Sequence, residues 1–196
     1  MSTVKTDNVY NSIGNPLLKN GYPRQPGRII EYLTNECDGS EVRGETGVYT
    51  WPTVTSQQVL LDTYADLTGS AITYTPPEGT TKVVYKFHFA VGYDTTEHAI
   101  GHFKLFIGGV EVTSARHNRS SRHPNSKYNF EWIFNIGRIA SPAEGRQLTW
   151  TIPKTIKMQV RRYGVNNFPK VHLTRIWDGV DVLNFSVPSL TLIAIA

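Results

Sequence analysis

Val83-Val84-Tyr85-Lys86-Phe87-His88-Phe89 sets bulky rings against charged or polar side chains in strict alternation. Two later runs keep the same beat: His102-Phe103-Lys104-Leu105-Phe106-Ile107 and Tyr128-Asn129-Phe130-Glu131-Trp132-Ile133-Phe134. A side chain that returns to one face at every second residue belongs to a half-buried strand, because successive Cβ atoms of an extended chain point to opposite sides. Tyr85, Phe87 and Phe89 therefore share one face, and Lys86 and His88 the other. Tyr128, Phe130, Trp132 and Phe134 likewise oppose Asn129, Glu131 and Ile133. Nothing comparable recurs at helical spacing, so the body is expected to be all-β.

Outward from these runs, turn signals recur at intervals of roughly 8–12 residues, which suits a sandwich or barrel of short strands. Strands are expected at 28–34, 48–51, 57–63, 68–75, 81–93, 99–107, 110–116, 128–136, 155–163, 170–177 and 187–196, with loops at 118–127 and 137–145. Pro76-Pro77 ends the fourth strand, since proline cannot donate to a ladder. Gly108-Gly109 between Ile107 and Val110 reads as a two-residue hairpin loop, because glycine takes positive φ at both positions without steric cost. Residues 1–27 differ: Asn, Gly and Pro punctuate short apolar pieces such as Leu17-Leu18, and no core can form there alone. The expected organisation is an extended N-terminal arm over 1–27, either frayed or ordered against a neighbouring surface, and a single jelly-roll antiparallel sandwich over 28–196. Immunoglobulin-like domains, at ~100 residues each, would have to be doubled, and no duplication is evident.

A chain of 196 residues can bury enough surface for one self-sufficient core. The single cysteine, Cys37, excludes an internal disulfide and reads as a small buried apolar residue. Charged residues make up only 18%, a low share for a solitary monomer's surface, so part of that surface is expected to face other subunits. A net charge of +4 without dense Lys/Arg clustering argues against a dedicated nucleic-acid binder. Met1-Ser2-Thr3-Val4-Lys5 has no apolar core, so a signal peptide is not expected, and no apolar run is long enough for a membrane span.

The candidates for chemistry are few. His98 and His102 with Glu97 lie near metal-ligand spacing, but on a strand two residues four apart stand roughly 13–14 Å from each other, too far to chelate one ion. No metal or other cofactor is expected. Arg116, Arg119, Arg122 and Lys127 form the chain's one charge cluster, with no acid between Glu111 and Glu131. They are read either as a site for an anion, a glycan or a neighbour's acidic rim, or as a solvated hairpin tip. Arg161-Arg162 repeats that signal more weakly. Tyr49, Trp51, Tyr93 and Trp177 are read as a sugar-stacking platform or as core packing. The Asp178/Asp181 pair flanks Gly179, which suggests a turn. The acids beside Cys37 would raise its thiol pKa, and no nucleophile elbow or phosphate cradle is present. Asn118-Arg119-Ser120 and Asn184-Phe185-Ser186 fit the glycosylation pattern but need secretory passage.

Pro26-Gly27-Arg28-Ile29-Ile30-Glu31, Cys37-Asp38-Gly39, the stretch from Tyr64 to Thr80 and His102 to Gly109 together resemble virion proteins of large double-stranded DNA viruses of algae and of some marine phages. The resemblance covers about 26–196 and rests on phrases rather than catalytic motifs. It implies a single jelly roll of the kind used as vertex penton, minor capsid component or fibre head, and it brings no active-site residues. The expected function is accordingly a non-enzymatic structural virion protein, foremost the penton of an icosahedral shell. It would be made in the host cytoplasm and assembled as a homo-oligomer, a pentamer before a trimer, among neighbouring capsid proteins. The first rival is a trimeric receptor- or glycan-binding head that uses the basic cluster; the second is an enzyme of the glycoside-cleaving or cupin type.

Overall fold

The computed structural model describes residues 8–10, 16–19, 22–23, 26–92, 99–121, 126–137, 139–164, 169–177 and 179–196. Three short strands, β1 (Asn8–Tyr10), β2 (Pro16–Lys19) and β3 (Tyr22–Pro23), pair antiparallel with one another. The other residues before Pro26 lie outside the described ones, and with them most of the expected arm. The body begins with β4 (Ile29–Glu36), β5 (Glu41–Arg43), β6 (Val48–Thr50), β7 (Gln58–Val59), β8 (Ala65–Asp66) and β9 (Ile72–Tyr74). Four long strands follow: β10 (Lys82–Gly92), β11 (Ala99–Ile107), β12 (Val110–Ser121) and β13 (Ser126–Asn135). Beyond a 3-10 turn at Pro142–Glu144 come β14 (Lys154–Arg162), β15 (Lys170–Val171), β16 (Leu173–Trp177), β17 (Asp181–Phe185) and β18 (Ser189–Ile195).

One sheet runs β4-β18-β10-β13, and β15 and β7 continue it beside the far end of β10. The facing sheet runs β12-β11-β14, with β8 and β9 on the other side of β14. Every pairing between these strands is antiparallel, and the chain forms the expected all-β sandwich of jelly-roll class. The three aromatic runs lie in β10, β11 and β13, the first two interior to their sheets and the third at an edge. Tyr85, Phe87, Phe89, Phe103, Phe130 and Phe134 are buried, while His88, Asn129 and Glu131 on the alternate positions are exposed. Phe89 meets Phe103 across the layers at 5.8 Å between ring centres. Each such ring taken out of water contributes about 1.5–3 kcal/mol, which is why the period-two pattern sets the layer boundary.

Gly108 and Gly109 take φ of 56° and 82° and join β11 to β12, as expected. The expected loop at 118–127 is strand at both ends, and its residues 122–125 lie outside the described ones. β12 continues to Ser121 and β13 starts at Ser126, and the two strands belong to different sheets rather than pairing as a hairpin. An edge strand has a solvated side, so its polar side chains imitate a loop in the sequence. The expected strand at 170–177 divides at His172, whose φ of 62° breaks the ladder, and 57–63 and 68–75 shrink to β7 and β9. The short strands β5, β8 and β17 carry no legible alternation. Gly145 (φ 70°) closes the 3-10 turn, and a Cβ there would stand 3.0 Å from the Phe134 ring and 3.2 Å from Val112.

Candidate functional site

β12 crosses above β13 on one flank of the sandwich, and this flank holds the basic cluster. From Leu105 to Phe103 on β11 is two residues, whereas their partners Val112 and His117 on β12 are five apart, so Thr113 to Arg116 bulge out of the ladder. The bulge turns Arg116 back onto Glu111, with Nε to Oε1 at 2.5 Å and Nη2 to Oε2 at 3.1 Å, and Lys104 Nζ reaches the same carboxylate at 3.2 Å. The Arg116 hydrogen bonds, then Lys104, hold the Glu111 carboxyl below its ordinary range. Arg119 lies with its guanidinium 4.6 Å from the centre of the Tyr128 ring, a cation over an aromatic face. Lys127 is exposed on the outer face of β13, and Arg122 lies outside the described residues. The three described cations thus take separate directions: one onto a carboxylate, one onto a ring, one out to solvent.

Between them sits a group whose role the sequence does not signal. His117 stacks between Phe103 (5.0 Å, 4° between planes) and Phe130 (5.1 Å, 14°), and its Nδ1–H donates to the Ala115 carbonyl at 2.9 Å. Its Nε2 is buried without a partner. Burial, with Arg119 nearby, lowers its pKa against the Ala115 bond. A histidine amid arginines reads as solvated; only the sheet crossing shows that it fills the gap between layers.

The remaining candidates resolve one by one. His102 bonds Asn118 through Nδ1 and stacks on Tyr163, while Glu97 and His98 lie outside the described residues. Among the described residues no three His, Cys, Asp or Glu side chains converge as a metal site would need. Cys37 is fully buried, its thiol 3.4 Å from the Gly69 carbonyl; burial first and Asp38 second push its pKa up to about 12. Trp51 is core, its indole N–H donating to Leu190 O at 3.1 Å, and Tyr49 packs on Tyr74 at 5.3 Å, so these two form no exposed platform. Tyr93 and the Asp178 carboxylate lie outside the described residues, as do the Trp177 and Asp181 side chains. Arg162 is bidentate to Asp62 (2.6 and 2.8 Å), and Arg161 lies 5.4 Å from the Tyr64 ring.

Two open grooves are also present. One of about 540 Å³ is lined by Thr46, Thr50, Thr73, Thr75 and Thr155 beside Tyr49. The other, about 490 Å³, lies by the Gly108-Gly109 turn among Val110, Ala140, Leu148 and Ile152, with Arg146 and Lys154 at its rim. Leu148 and Ile152 are 63% and 64% exposed and Ile139 nearby in sequence is 87% exposed, so this end of the sandwich is apolar. No helix among the described residues is long and apolar enough to cross a membrane.

No protein-family description and no curated protein matches the sequence. Among solved structures, the infectious bursal disease virus VP2 subviral particle aligns with 81% of this chain and 42% of its own at 9% identity. The TM-score is 0.25, too low for the likeness to bear on fold or function, and this chain spans less than half the length of that one.

Proposed function

We propose that this chain is a non-enzymatic coat subunit of a virion, most specifically the penton at the vertices of an icosahedral shell, working by packing against copies of itself and neighbouring coat proteins. The observation that carries the reading is the amount of apolar side chain left on an otherwise complete sandwich. Val180, Val182, Leu183 and Phe185 are 40–66% exposed at the β16–β17 ribbon, and Val110, Leu148 and Ile152 are 50–64% exposed at the Gly108-Gly109 end. Scattered exposed aliphatics are ordinary, but grouped ones on a chain this poor in charge are what a subunit buries on assembly. The resemblance of its sequence phrases to those of virion proteins supports the same reading. The rival anion-binding head loses one of its named cations, since Arg116 is already held by Glu111.

Native mass spectrometry of the purified chain tests the reading, with negative-stain imaging of the same sample. A closed ring of five copies supports the penton, and three copies favour the fibre-head rival. A monomer at every concentration, or turnover of a substrate abolished by one substitution, overturns the coat-subunit reading.

A further inference from the structure

We infer that copies of this chain join head to tail, the β4 edge of one lying along the β13 edge of the next, so that one sheet runs on from subunit to subunit. The inference rests on the coat-subunit reading and names its contact. Among the described residues β4 is laddered only to β18 and β13 only to β10, and apart from Asn135, whose carbonyl takes the Gln147 N–H, each offers one side of its backbone to a further strand. Edges of this length are templates for pairing unless something covers them.

Strand parity fixes the geometry. β4, β18, β10 and β13 alternate in direction, so β13 runs opposite to β4. A neighbour in the same orientation therefore brings its β4 antiparallel to β13 and continues the alternation. The ladder registers also define cross-sheet rows on the outer face, one of which is Tyr32, Ile193, Val84, Ile133. Its two ends, Tyr32 and Ile133, are 57% and 45% exposed. Extending the row into the next copy sets Tyr32 against Ile133, and three rows further along it sets Asp38 against Lys127.

Charge selects head to tail over a two-fold pairing of like edges. Among the exposed described residues, 28–47 hold Glu36, Asp38, Glu41 and Glu45 against Arg28 and Arg43, whereas 111–143 hold Arg116, Arg119 and Lys127 against Glu131, with Arg116 already paired to Glu111. These segments build opposite flanks of the same sandwich. β4 to β4 or β13 to β13 would bring like charges together, while β4 to β13 brings unlike ones. A heterologous contact of this kind closes into a ring when its rotation permits.

Two single-cysteine additions to the full chain, Tyr32→Cys and Ile133→Cys, test the contact; native Cys37 is fully buried and stays out of the reaction. Mixed and oxidised, the two proteins are expected to give a Tyr32→Cys/Ile133→Cys disulfide in at least tenfold excess over either homodimer, at a rate that falls as salt is raised. Homodimers in equal or greater yield, or no cross-link at the highest soluble concentration, overturn the inference. A ring by native mass without the mixed cross-link overturns this contact and leaves the coat-subunit reading standing. The mixed cross-link on a protein with substrate turnover does the reverse.

Discussion

On the flank where β4 lies over β9 the sheets are tied by a carboxylate, and where β12 lies over β13 they are tied by rings. Glu31, 8% exposed, accepts the Tyr74 hydroxyl at 2.6 Å and the Glu45 backbone N–H, and the β5–β6 ribbon is thereby held against the body with Tyr49 on Tyr74. Opposite, Phe103, His117 and Phe130 stack in nearly parallel planes, and Arg119 covers the adjoining Tyr128. A hydrogen-bonded carboxylate fixes direction and tolerates little change, because a buried charge that loses a donor keeps its desolvation cost. A ring stack depends on area and shape, and here it keeps the His117 Nε2 buried without a partner. One flank is thus locked by polar bonds under an acidic surface, and the other is filled by apolar contact under a basic one.

The comparison breaks most readily at the rings. Phe130→Ala removes a buried ring from the stack and is expected to cost about 3–5 kcal/mol in urea or thermal unfolding. A cost below that of Tyr74→Phe would mean that the stack is not what fills its flank.

Acid probes the interior between the two flanks. His172 is fully buried, its Nε2–H on Thr68 O at 2.9 Å and its Nδ1 unpartnered, and burial lowers its pKa from 6.5 to about 4. The unfolded chain takes up the proton first as pH falls. Stability from this group is therefore complete above 6.5, is lost between 6.5 and about 4, and does not fall further below that, a total of about 3 kcal/mol. His117, shifted the same way, adds to the loss. Asp62 and Asp66, held below 3.8 chiefly by Arg162 and Lys157, lose their contributions only at lower pH. Unfolding midpoints at pH 7 and pH 4 should show the slope, and His172→Asn should flatten it, since asparagine tolerates the positive φ and does not titrate.

Tyr74→Phe tests the polar lock. It leaves the Glu31 carboxylate without its hydroxyl donor and is expected to cost about 2 kcal/mol, with the Tyr49 environment changed in near-UV circular dichroism. The smallest effect belongs to Arg116→Ala on the basic flank. Its ion pair with Glu111 is solvent-exposed on the arginine side, so the melting temperature should stay within error of the parent. A clear drop there would show that the bulge at Thr113 to Arg116 depends on that pair.

The long strands were legible because each carries several rings at period two, and burial of those rings outweighs any local alternative. β5, β8 and β17 were not, since two to five residues of mixed polarity hold no periodic signal and exist because a neighbouring strand pairs with them. The basic cluster was legible as a cluster but not as an arrangement. Its residue types say that charge is present, while the bulge sends Arg116 to Glu111 and the sheet crossing sends Arg119 to Tyr128. Cys37 and Trp51 could be weighed as core from residue type alone; His117 could not, because its neighbours in sequence are polar and its neighbours in space are not.

By itself the sequence determined the fold class, the Gly108-Gly109 turn, the principal core rings and the surplus of basic residues over 116–127, because each follows from local stereochemistry or side-chain transfer energy. Only the tertiary structure decided which strands became edges, which flank became acidic and which basic, and that His117 lies between two rings. Those outcomes come from pairing between residues far apart in the chain, where strand order and register, rather than any local preference, choose the neighbours.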